Sequence, residues 1–204
     1  MKSFFKNFFN NSTNTSEENE QHEAKSPYTP EDVLPVENIF MRNFKKNGGR
    51  FLYCENLEEL SNNFLNILEE NDWFECEVLS YEPLLNYLLN ENKLKLSLNS
   101  DAVKFYLSTC ENLIADEGSI LFSSNQFKHR KPNELPKNMV VFATTSQLVK
   151  SKGDGLQYIK RKYNKDYPSN ITTIKYFEEL KEEQDFLHYG SSHKNLYLLL
   201  LEDL

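Results

Sequence analysis

Three short segments hold the residues best suited to chemistry. The first is Ala115-Asp116-Glu117-Gly118-Ser119, two carboxylates beside a glycine, between two apolar runs. Gly118 permits a positive φ and a close backbone approach to a ligand. Amides around such a turn can hold a carboxylate or phosphate, with Ser119 adding a hydroxyl. Asp116 or Glu117 could then act as a general acid or base, or as a nucleophile toward an acyl group. An ordinary hairpin turn accounts for the same residues, since Asp and Gly are turn formers.

The second segment runs from Ser123 to Lys131. A polar stretch containing Ser124 and Asn125 leads into Lys128-His129-Arg130-Lys131. A guanidinium grips carboxylate or phosphate with a planar fork, so Arg130 is the natural anion anchor. The third is Tyr189-Gly190-Ser191-Ser192-His193, where a glycine and two hydroxyls can wrap an anion and His193 can titrate near neutrality. Solvated loops explain both segments as well. Asp116, Glu117, Gly118, Ser119, Ser124, Asn125, Arg130, Gly190 and Ser191 are thus the candidate site, predicted to converge at neighbouring strand ends.

The elements that would position them follow from periodicity. Ile39, Phe40 and Phe44 predict a helix from Pro35 to Gly48-Gly49. Phe51 to Cys54 reads as a strand. A helix follows, capped by Asn56 and carrying Leu57, Leu60, Phe64, Ile67 and Leu68. Glu75 to Ser80 predicts a strand and Pro83 to Leu89 a helix. Lys93 to Leu98 alternates as a half-buried strand would. Val103 to Ser108 leads toward the acidic turn, Met139 to Thr144 is a short continuous apolar run of the kind that sheets bury on both faces, and Leu196 to Leu201 reads as a final buried strand. Asn112 to Ala115 and Ser119 to Ser123 predict a local antiparallel hairpin, and Leu156 to Tyr163 a further helix. The alternation gives an α/β fold with a mostly parallel sheet flanked by helices.

Composition narrows the function classes. The 204 residues suffice for one domain with a sizeable core, taken as residues 34–204. Residues 1–33 begin with a Phe-rich stretch, then turn polar without apolar periodicity, and are expected to be a disordered tail. A net charge of −8 gives no basic face for nucleic acid. No run is long enough to span a membrane. Three widely spaced cysteines, Cys54, Cys76 and Cys110, form no disulfide framework and no zinc or cluster motif, which suggests reduced thiols in a cytoplasm. No Walker loop or dinucleotide fingerprint occurs, and no cofactor is expected.

Taken together, these motifs resemble the LUD domain of lactate-utilisation proteins, of the short lactate-utilisation-protein-C type. Ile114-Ala115-Asp116-Glu117-Gly118-Ser119 is similar to that family's I-A-E-T-G-T segment, with Asp116 at the acid position. Arg130, Leu135-Pro136 and the run Val140 to Leu148 follow in family order. The family's G-P-S-x-T-A-D-I-E segment is replaced here by Asn170 to Phe177. The resemblance implies the fold of the ribose-phosphate isomerase, glucosamine-phosphate isomerase and coenzyme-A transferase group. It also implies a link to oxidation of L-lactate to pyruvate, in which iron–sulfur partner subunits carry the electrons.

Three readings stay open. The chain is a non-redox accessory component of lactate utilisation that binds a small anionic ligand or partner subunit. Or it is an isomerase- or acyl-transferase-like enzyme using Asp116 or Glu117. Or it is an interaction module docking through its Phe-rich start.

Overall fold

The computed structural model describes residues 34–98, 102–177 and 194–203. The predicted tail over 1–33, and Gly190, Ser191 and His193, lie outside the described residues.

Helix α1 (Val36–Lys46) follows Pro35 and buries Phe40, Met41 and Phe44. Gly48 turns the chain at φ 81° into strand β1 (Arg50–Cys54). Helix α2 (Leu57–Asn71) starts where Asn56 accepts the Glu59 amide, the expected cap. Its face of Leu60, Phe64, Ile67 and Leu68 is buried. Strand β2 (Glu77–Ser80) leads through a short 3₁₀ turn to helix α3 (Asn86–Glu91).

Strand β3 is only Lys95–Leu96. The alternating reading of Lys93 to Leu98 is corrected here: Leu96 and Leu98 are 53% and 63% exposed. This is a sheet edge, paired with β2 alone and uncovered on that face.

Strands β4 (Phe105–Thr109), β7 (Asn138–Thr144) and β10 (Asn195–Leu201) form the middle of the sheet. The full order is β1-β10-β7-β4-β2-β3, parallel throughout. One face packs on α2: Phe64, Ile67 and Leu68 meet Phe105, Leu107, Phe142 and Leu199 in a single core. Trp73 stacks on Phe105 with ring centroids 4.7 Å apart.

A second sheet of four strands is ordered β8-β5-β6-β9. Strands β5 (Asn112–Ile114) and β6 (Ser119–Ser123) are the predicted antiparallel hairpin. Strand β8 (Leu148–Val149) joins β5 in parallel, and β9 (Ile171–Ile174) joins β6. Helix α4 (Ser124–Phe127) is a single turn after β6. Helix α5 (Lys152–Tyr163) lies on this sheet. Gly155 makes the contact close, because a Cβ there would stand 3.0 Å from Ile114 and Leu121 side-chain carbons. Ile159 completes that small core.

Candidate functional site

Strand order locates a cleft. From β2 the chain moves outward to β3, returns to β4, and then steps the other way to β7 and β10. Connections therefore diverge between β2 and β4, and open α/β sheets leave a crevice at the carboxyl ends beside such a reversal. A cavity of about 670 Å³ opens there. Tyr81 and Glu82 line it just past β2, Thr109 and Cys110 at the end of β4, Thr144 at the end of β7, and Leu201 on β10.

Side-chain staples fix these strand tips. The Gln147 amide donates to the carbonyls of Cys110 (2.7 Å) and Glu111 (3.2 Å), while its oxygen accepts the Thr144 amide. One side chain thus ties β4 to β7. Asp203, just beyond β10, accepts from the Thr145 hydroxyl and from the amide and hydroxyl of Ser146. Burial alone would raise its carboxyl, but these donors outweigh it and hold the group below the usual range.

Behind the wall sits Glu111, whose residue exposure is 0%. Its carboxylate accepts from Ser123 Oγ at 2.6 Å, Gln126 Nε2 at 3.2 Å, Lys162 Nζ at 3.0 Å and Tyr163 Oη at 2.9 Å. Burial opposes its charge, but the hydrogen bonds and the Lys162 ammonium win, so its carboxyl stays below the ordinary value. Lys162 responds in kind. Its partial burial lowers its basicity, yet the bond to Glu111 leads a net rise.

The polarity of this pair matters. Lys162 lines the cavity and its side chain is 42% exposed, while the Glu111 side chain is fully enclosed. An ammonium has three donors and no acceptor, so the cavity faces the positive end of the pair. Lys128 also lines the cavity and makes no ion pair among the described residues. Its backbone is held at φ 54°, where L-residues are uncommon. The amide of Asn125 is a third polar group on the wall, and its side chain makes no hydrogen bond among the described residues. Glu82 is an acid on the same wall.

Of the candidate residues chosen from the sequence, Asn125 lines this cavity and the other described ones do not. The Asp116–Ser119 turn is held against α1. Asn43 Nδ2 donates to the carbonyls of Ala115 and Asp116, and Asn47 Nδ2 to those of Glu117 and Gly118. The amides of Ala115 and Asp116 bond to Val149 and Lys150, and that of Gly118 to Ala115. Asp116 is exposed, and Glu117 accepts the buried Ser119 hydroxyl at 3.1 Å. Ser124 bonds to the 169–170 stretch through its amide and hydroxyl. Arg130 donates from Nε to the Tyr81 hydroxyl at 2.8 Å and from Nη2 to the Leu98 carbonyl at 2.8 Å. It stands one hydrogen bond behind the wall and orients Tyr81.

Glu111, Lys162 and Gln147 were not singled out in the sequence, whereas Lys128 and Gln126 lay in the second segment without being chosen as site residues. Glu111 did leave a signal: it is the one charge in Phe105 to Ala115. An acid inside a buried run requires donors around it. Cys110 lines the cavity, but burial pushes its thiol well up, so it stays protonated near neutrality and is no thiolate nucleophile. Among the described residues, no three His, Cys, Asp or Glu side chains gather as a metal-ligand group. No described helix is long and apolar enough to cross a membrane.

The molecule is thus an α/β protein with a mostly parallel sheet and a cleft at the sheet's reversal point. The LUD-domain family model matches residues 37–200, and the chain belongs to that family, which is associated with lactate utilisation. A crystal structure of a DUF162 family protein from Deinococcus radiodurans shares the fold, with a TM-score of 0.59 at 12% identity. The match covers 82% of this chain and 96% of that one. No curated protein matches the sequence.

Proposed function

We propose that this chain is a non-redox accessory component of L-lactate utilisation that binds a small organic anion in the strand-end cavity. The observation that carries the reading is Lys162: its ammonium lines the cavity while its counter-ion, Glu111, is sealed behind it. Lys128 adds a second positive charge and Asn125 an amide able to donate to a carboxylate. Family membership supplies the metabolic setting. The whole sequence has three cysteines, short of the four thiolates that an all-cysteine iron–sulfur cluster requires. Electron transfer accordingly falls to partner subunits in this reading.

Two measurements test it. Titration calorimetry on the full chain with carboxylates should give one site per chain, weakened at least tenfold by Lys128→Met. Deletion of the gene should slow growth on L-lactate. Carboxylate affinity unchanged in Lys128→Met and in the paired Glu111→Gln/Lys162→Met variant would refute the anion site. Normal growth of the deletion strain would refute the metabolic role.

A further inference from the structure

The size and lining of the cavity narrow the ligand class. At ~30 Å³ per water, a space of about 670 Å³ holds roughly twenty waters. A three-carbon hydroxy acid, with about six heavy atoms, would leave most of them in place. Specific sites instead bury most of their ligand's surface.

The polar groups that could take an anion are few, and the remaining wall is largely apolar. Leu60, Leu85 and Phe142 line it and are nearly enclosed, at 3%, 6% and 7% exposure. Leu57 and Leu84 also line it, yet remain 62% and 79% exposed, so they form an apolar lip open to water. Leu57 begins α2 and Leu84 lies in the 3₁₀ turn after β2, so two separate elements bring leucines to the same opening. Covering such surface is favourable in proportion to the area removed from water. Glu82 on the same wall disfavours a second carboxylate on the guest.

We infer that the cavity takes a monocarboxylate with an extended apolar body, its carboxylate at Lys162 and Lys128 and its chain along Leu57, Leu60, Leu84, Leu85 and Phe142. This inference rests on the anion-site reading above and adds the ligand's second half. The guest is then an amphiphile longer than the three-carbon acid itself.

The test is calorimetric titration of the full chain with L-lactate, butyrate, octanoate and dodecanoate, and with octan-1-ol as the uncharged counterpart. Affinity should rise about three- to fourfold per added methylene, at one ligand per chain. Leu57→Asp/Leu84→Asp, which alters exposed positions and spares the core, should flatten that rise. Lys128→Met should lower affinity for every acid by a similar factor. Circular dichroism confirms that each variant is folded.

Equal affinity along the acid series, with Lys128→Met still weakening all of it, would overturn the amphiphile inference and leave the anion site standing. Octan-1-ol binding as tightly as octanoate would overturn the anion site. Many ligands bound per chain, or no acid bound at all, would overturn both.

Discussion

Lys162 Nζ stands 3.0 Å from a carboxylate oxygen of Glu111, one partner part-exposed on the cavity wall and the other wholly enclosed behind it. The two residues are 51 apart in sequence, on the link after β4 and in the last turn of α5. The pair therefore ties the second sheet's covering helix to the tips of the main sheet.

This pairing predicts a non-additive mutant cycle. Lys162→Met strands a buried carboxylate, and breaking such a pair costs ~3–5 kcal/mol. Three other donors remain on Glu111, which favours the lower end. Glu111→Gln leaves a lysine that can reach water, so it should cost ~1–2 kcal/mol. The double variant should cost less than the sum of the singles, with a coupling of ~1–3 kcal/mol in urea unfolding. Additive losses would mean that the two residues do not interact in solution.

Acid sensitivity follows from the same carboxylate. The folded state holds the Glu111 proton affinity below the ordinary value. The unfolded chain therefore binds more protons as pH falls through that window, so stability is full above the unfolded value and is lost below it. Glu111→Gln should remove this part of the acid slope. Parallel stability curves from pH 6 to pH 3 for the two proteins, on the scale of the ordinary carboxyl range, would contradict it.

Gly118 should tolerate no side chain. Its φ is +59°, and a Cβ would meet the Asn43 carbonyl carbon at 2.3 Å and the Phe44 nitrogen at 2.4 Å. Those are helix backbone atoms, so α1 would have to lift and the Asn43 and Asn47 bonds to the turn would break. Gly118→Ala is expected to cost ~2–4 kcal/mol. Thermal unfolding gives the answer, and a loss under ~1 kcal/mol would show that α1 yields easily.

Much of the architecture was legible because burial leaves a local signature. Met139 to Thr144 reads as a strand buried on both faces and Leu196 to Leu201 as a buried strand, and both lie inside the sheet with a partner on each side. The 112–123 hairpin was legible for the same reason, since its turn is encoded within a few residues. Lys93 to Leu98 misled because alternation alone does not say whether anything covers the apolar side. The site was harder to read. The Asp116–Ser119 turn looks like a ligand cradle in isolation, but its carbonyls are taken by Asn43 and Asn47, about seventy residues upstream. The Glu111 cluster draws on residues 111, 123, 126, 162 and 163, a grouping that exists only after folding.

The three thiols should react in order of exposure. Burial raises all three, Cys54 to about 11. Cys54 and Cys110 are buried, while Cys76 is only half-buried. A disulfide reagent at neutral pH should therefore modify Cys76 first and Cys110 only on unfolding, as mapped by peptide mass spectrometry. Rapid labelling of Cys110 in the native protein would mean that the cavity wall opens. A carboxylate ligand filling the cavity should slow Cys110 labelling further.

Lys194 gives the clearest alkaline prediction. It is 3% exposed, and its ammonium donates to the carbonyls of Leu135 (2.8 Å) and Pro136 (3.1 Å). Burial pushes it from 10.5 down to about 8. Between those values the folded protein has shed a proton that the unfolded chain still holds, so stability rises with pH across the window. Below about 8 both states are protonated and the full desolvation cost remains. Lys194→Met loses the two hydrogen bonds but also the titration. Wild type should therefore gain on the variant as pH rises from 7 toward 10.5, by up to ~3 kcal/mol. Denaturant midpoints measured at several pH values for both proteins read the difference directly, and other alkaline groups cancel in it. A gap that stays constant with pH would mean that the Lys194 ammonium keeps its ordinary affinity for the proton in the folded protein.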